Sequence, residues 1–278
     1  LSPATGVAPP DCRQDLDTET DAPTWLIGLD YLPTDDLMLY AKYARGYRQG
    51  SLNMFAAEGV QEFDAEEVDA YEIGSKGSFD APLPGTLNVA LFYNELSDQQ
   101  LQVGYSSSTG EAAFTTGIVN AGASTIQGAE IETTLELYEG LMFSLSYTYL
   151  DTELDETELP QIAPGSPYDE VTGFMEAGSE LTFSPDHTAT AALNYRLPLP
   201  ADVGDVSFGA SYTYMDDQLA IVSTYGWLDS RKLLNLNANW KGIAGSGFDV
   251  SLFATNVTDE EYPVNVTGFY DNPSIGMD

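Results

Sequence analysis

Hydrophobic and polar residues alternate in steps of two along most of this chain, and helical spacing is hard to find. In LMFSLSYTYL (141–150), Leu141, Phe143, Leu145, Tyr147 and Tyr149 share one face, while Met142, Ser144, Ser146 and Thr148 share the other. VSFGASYTY (206–214), ATAALNYRL (189–197) and LLNLNANWK (233–241) repeat the pattern. The alternation predicts ten strands, at 24–32, 37–49, 70–79, 87–104, 124–137, 141–153, 187–197, 206–218, 228–241 and 248–257.

Two kinds of connection join these strands in turn. PTDD, DAPLPGT, YEG, PLPADVGD and GIAGSG are short and rich in Pro, Gly or Asp, as hairpin turns are. The other connections are mostly long: 50–69, 105–123, 154–186, a briefer 219–227, and the tail after 258. Short turns at one end and long loops at the other is the plan of an outer-membrane barrel. Several strands also reach the roughly nine to eleven residues needed to cross a bilayer at a tilt. Aromatics cluster near strand ends on the apolar face: Trp25, Tyr31, Tyr147, Tyr149, Tyr195, Tyr212, Tyr214 and Trp240. Interfacial girdles are built this way. A soluble sandwich shares the alternation, but here the opposite face is too polar for a sandwich core. The predicted fold class is therefore all-β, a transmembrane antiparallel up-and-down β-barrel.

Parity places the scarce basic residues. If Leu39, Ala41 and Tyr43 face lipid, then Tyr40, Lys42 and Arg48 face the lumen. The same reasoning puts Glu72, Lys76, Glu130, Glu132, Glu136, Arg196 and Lys241 inward. A charge on the lipid face near the midplane costs about 2–4 kcal/mol, so inward placement is expected. These groups would line a polar wall or dock a domain that fills the lumen.

With 44 acidic residues against nine basic, the net charge is −35. Nucleic-acid binding needs a positive footprint and is excluded on that ground. Nothing points to an enzyme, a cofactor or a metal centre. The single histidine, His187, reads as a loop-end residue at a strand start, and no triad or histidine-based metal site can be assembled around it. The acidic runs DTELDETE (151–158) and DEE (259–261) lack the spacing of a calcium loop. Cys12 has no internal partner for a disulfide. The chain opens LSPATGVAPP, without a signal peptide, so its true start is expected upstream.

Seven stretches, in order, resemble the C-terminal part of the TonB-dependent outer-membrane receptors. They are LYAKYARGYRQGSLN (39–53), EEVDAYEIGSKGSF (66–79), LNVALFYNELSDQQ (87–100), NAGASTIQGAEIE (120–132), GLMFSLSYTYLDTEL (140–154), SPDHTATAALNY (184–195) and ATNVTDEEY (254–262). The resemblance implies a barrel of about 22 strands around an N-terminal plug, of which residues 1–278 would supply roughly ten strands. Plug, TonB box and last strand are expected to lie outside this chain, which stops at NPSIGMD. It further implies a cell outer membrane location, lipid contact, and uptake of a scarce nutrient with energy from the TonB–ExbB–ExbD complex through the plug. The YARGYRQG region looks most like the iron-complex receptors, which makes a ferric siderophore the expected cargo. Haem receptors of the family carry a histidine near this position, and none follows Arg48 here. Arg45, Tyr47 and Arg48, at the loop end of the second strand, are the expected ligand contacts. A passive porin, or uptake of an oligosaccharide, peptide or corrinoid, are the alternatives.

Overall fold

Alternating segments become strands because aromatic and β-branched side chains fit a pleated surface whose two faces meet different media. The computed structural model describes residues 17–53, 61–110, 112, 114–162, 164–221 and 226–266; Cys12 and the terminal NPSIGMD lie outside them. Ten long strands run Trp25–Thr34 (β1), Leu37–Arg48 (β2), Glu66–Phe79 (β3), Gly85–Ser106 (β4), Thr115–Tyr138 (β5), Leu141–Thr157 (β6), His187–Arg196 (β7), Asp205–Met215 (β8), Arg231–Lys241 (β9) and Val250–Ala254 (β10). Each pairs antiparallel with its neighbour in sequence, giving a meander with β1 and β10 at open edges. Among the described residues there is no α-helix, only one 3-10 turn at Ile243–Gly245.

The expected strands are all present, but β5 starts nine residues early. Residues 115–123, expected in a loop, pair instead with Gln99–Tyr105 of β4. TTGIVNAGA mixes small residues without alternation, because this part of the strand packs against other protein rather than lipid. With 22 residues in β4 and 24 in β5, this hairpin runs well past the roughly nine to eleven residues that cross a bilayer.

Register continuity defines two faces. One carries Leu29, Ala41, Ile73, Leu91, Ala129 and Tyr149 in a single row of cross-strand partners. A second row holds Tyr43, Tyr71 and Tyr93, with Tyr43 and Tyr71 stacked at 5.0 Å and Trp25 edge-on to Tyr43 at 6.4 Å. Leu29, Ile73, Leu91, Phe208 and Leu252 are all open to the surroundings on this face. So continuous an apolar surface is a membrane-contact surface. His187 begins β7 on the same face, where its Nδ1 meets the Tyr147 hydroxyl at 2.9 Å.

A dry core lies beyond the sheet's lipid face, on the tall hairpin. Leu101, Val103 and Tyr105 of β4, Val119 and Ala121 of β5, and Leu154 of β6 pack with Tyr168 and Met175 from the 158–186 connection. Tyr105 is 1 % exposed, its hydroxyl has no hydrogen-bond partner among the described residues, and burial pushes its pKa up to about 12. A buried hydroxyl without a partner forfeits its hydration for nothing in return. Tyr105→Phe is therefore expected to leave the stability unchanged or raise it by about 1 kcal/mol, read as the melting temperature of the purified protein. A clear loss would mean the hydroxyl has a partner after all.

Candidate functional site

The ten residues expected to face inward, from Tyr40 to Lys241, share one face of the sheet, opposite the apolar rows. Lys42 and Glu72 are cross-strand partners on β2 and β3, joined by a 2.6 Å ion pair. Lys76 lies four residues along β3 from Glu72, on the same face, and its ammonium sits 5.8 Å from the Tyr40 ring. Tyr40 itself lies across Gly74, where a Cβ would come within 2.6 Å of the tyrosine ring. Phe92 covers Gly128 in the same way on the next pair of strands. At both positions a Cβ would also meet a neighbouring carbonyl oxygen, Val89 at 2.5 Å and Tyr149 at 2.2 Å, so glycine fits both the ring and the close backbone.

Glu130 and Glu132 follow on β5, with Glu136 further along. Their register partners are Ala90 and Thr148 for Glu130, and Asn88 and Ser146 for Glu132. Among the described residues none of the three glutamates has an ion-pair partner, and no neighbour in register is a cation. At the short-turn end of the sheet, Arg196 pairs with Asp205 at 2.6 Å, and Asp205 is the register partner of Lys241. The wall thus has cations at its two sides and uncompensated carboxylates between them.

The three expected ligand contacts do not come together. Arg45 and Tyr47 belong to the alternating set of Tyr43, and only Arg48 belongs to the set of Lys42. Arg45 is ion-paired to Glu67, lies 3.8 Å from Asp69, and stacks 5.5 Å over the Trp25 ring. That arrangement anchors the rim of the apolar face. Arg48 reaches Glu66 at 2.8 Å, and its side chain stays well exposed at 59 %. The same Glu66 carboxylate accepts a 2.8 Å hydrogen bond from the Gln100 amide. Strict period-two counting separates Arg45 from Arg48, whereas closeness in sequence groups them.

Beyond the rim, polar side chains bind the neighbouring connections to the tall hairpin. The Asn53 side chain donates to the Ile118 carbonyl at 2.6 Å and accepts from its amide at 3.0 Å, imitating a strand pair. Asn120 accepts from the Asp64 amide at 2.6 Å and donates to the Asp98 carbonyl at 2.7 Å. Gln100 donates to the Gln49 and Asp64 carbonyls, both at 3.0 Å. None of these asparagines or glutamines stood out in the sequence. Asn53 and Asn120 lie in segments expected to be loops, and Gln100 near the end of the strand expected at 87–104.

Residues 4–257 match the family model described as TonB dependent receptor-like, beta-barrel. The siderophore receptor PiuA of Acinetobacter baumannii is 25 % identical over 252 residues, which cover 87 % of this chain and 31 % of that protein. The pesticin receptor of Yersinia enterocolitica is 25 % identical over 84 % of this chain and 30 % of its own length. The crystal structure of the ferric yersiniabactin uptake receptor FyuA from Yersinia pestis superposes with a TM-score of 0.64 at 18 % identity, covering 85 % of this chain and 32 % of that one. The PiuA structure gives the same TM-score of 0.64 at 22 % identity, over 86 % of this chain and 32 % of that one. The chain thus spans about a third of the length of the relatives it matches. With its strand order, its two-faced sheet and a family match over nearly its whole length, the chain belongs to the TonB-dependent receptor-like β-barrel family.

Proposed function

We propose that this chain forms part of the barrel wall of an outer-membrane receptor that imports a ferric siderophore complex. Energy would come from the TonB–ExbB–ExbD complex acting through a plug. The reading is carried by the arc of sheet that this chain shares, over 85–86 % of its length, with the ferric yersiniabactin uptake receptor FyuA and the siderophore receptor PiuA. Its residues have no catalytic part in this account; they hold the pore, contact lipid and present side chains inward.

On this reading Glu130, Glu132 and Glu136 face the plug, and their missing counter-charges come from it. Lys42, Glu72, Lys76, Arg196 and Lys241 complete the wall around that contact. Arg48 is the ligand-side member of the original trio, because it shares the polar face and stays exposed at the long-loop end. Arg48→Ala is expected to weaken binding of the ferric complex by about tenfold, the scale of one charge-assisted hydrogen bond. Arg45→Ala should leave binding within about twofold, since surface ion pairs contribute little. Titration of both variants in the intact receptor checks this, and equal losses would remove the distinction between the two arginines.

The function itself is tested by the abundance of the receptor in isolated outer membranes from iron-replete and iron-starved cells. A large rise on starvation supports ferric uptake. Unchanged abundance points to another nutrient, and absence from the outer membrane overturns the reading.

A further inference from the structure

The 158–186 connection does not hang from the barrel as a free loop. Between Ser166 and Phe183 it crosses the tall hairpin and is tied down at both sides. On the β6 side, Gly178 donates to the Leu154 carbonyl at 2.7 Å, Leu154 donates to the Ser179 carbonyl at 2.9 Å, and Leu181 donates to Thr152 Oγ1 at 3.1 Å. On the far side, Glu170–Thr172 pairs antiparallel with Gly104–Ser106 of β4. The Asp169 amide there donates to the Ser106 carbonyl at 3.1 Å, and its carboxylate accepts from the Ser108 amide at 2.8 Å. Beside these ties, Tyr168 and Met175 are buried in the dry core, with Tyr168 packed 6.1 Å from Tyr105.

The position of this crossing matters. Leu154 lies four residues beyond Leu150, the register partner of Gly128, and belongs to the same alternating set as Ser146 and Thr148, the partners of Glu132 and Glu130. The segment therefore covers the polar face of the sheet just past its membrane-crossing part. Loops that move on ligand binding come from the least stable parts of a fold, with few buried contacts and exposed backbone hydrogen bonds. This segment instead buries Tyr168 and Met175 and ties its backbone to both β4 and β6.

We propose that Ser166–Phe183 is a fixed wall of the extracellular vestibule, held in place by its own core throughout uptake. It does not close over the ligand. Any closure on binding must come from other connections, and the ligand passes beside this wall. The proposal rests on the receptor reading for the word uptake, but not for the rigidity.

Two measurements on the intact receptor separate these parts. The first is hydrogen exchange at the Leu154, Gly178 and Leu181 amides, with and without the ferric complex. A fixed wall requires protection for hours in both states, on the scale of cooperatively folded cores. Exchange within about a minute, as for a mobile loop, would overturn it whatever the cargo. The second is a disulfide between the paired positions Ser106 and Glu170, made as Ser106→Cys and Glu170→Cys in a Cys12→Ser background. Uptake should stay within about twofold between the oxidised and reduced forms. A drop of about tenfold on oxidation, reversed by reduction, would show that the segment must open. If the unsubstituted receptor takes up no ferric complex, the receptor reading fails and the exchange result alone decides on the wall.

Discussion

Leu154→Ala in the intact receptor is expected to lower stability by about 2–5 kcal/mol, the range of buried Leu→Ala changes in well-packed cores. Leu154 is 0 % exposed and sits where β4, β5 and β6 meet the crossing segment. Gly122 lies so close that a Cβ there would be 3.0 Å from a Leu154 methyl and 2.9 Å from one of Leu101. So tight a site has little room to collapse around the void, which places the loss toward the upper part of the range. The matching change on the apolar face, Leu91→Ala, removes a side chain that is 49 % exposed. Lipid tails are as apolar as leucine and can fill the gap, so the loss there should be well under half as large. Thermal unfolding in one detergent compares the two. Equal losses would contradict a dry core outside the membrane face.

Gly128→Ala carries the second large effect, for the reverse reason. A Cβ at Gly128 would stand 2.2 Å from the Tyr149 carbonyl oxygen and 2.6 Å from the Phe92 ring. A ring can turn aside, but the carbonyl belongs to the β5–β6 ladder and cannot move without parting the strands. Overpacking of this kind costs about 1–3 kcal/mol where the surroundings can shift, and more where backbone is struck. The expected result is a sharp fall in folded receptor recovered from the outer membrane. Adding Phe92→Ala should restore little of it, because the carbonyl contact remains. Full recovery in the double variant would show that the ring, not the backbone, sets the constraint.

Much of this was legible from period-two spacing. LMFSLSYTYL announced β6, and parity alone collected Lys42, Glu72, Lys76, Glu130, Glu132, Arg196 and Lys241 onto the face that the registers give them. Legibility ended where a strand stops meeting lipid. Residues 115–123 are strand because Leu101, Leu154, Tyr168 and Met175 cover them, and contacts with residues so distant in sequence leave no alternation to read. The grouping of Arg45 with Arg48 follows closeness in sequence, not the strand period. Arg45 and Arg48 are three apart, an odd spacing that turns them to opposite faces of a strand. The charges on Glu66, Glu67 and Asp69 that engage these arginines come from the next strand, and register decides which carboxylate meets which arginine.

Uptake of a radioiron-labelled ferric siderophore by whole cells tests the central claim most directly. Three strains are compared: one carrying the intact receptor, one lacking it, and one carrying it without TonB. A ferric-siderophore receptor of this family requires accumulation in the first strain and background levels in the other two. Accumulation that persists without TonB would identify a passive pore instead. Equal accumulation with and without the receptor, across hydroxamate, catecholate and mixed-ligand siderophores, would contradict iron uptake as its function.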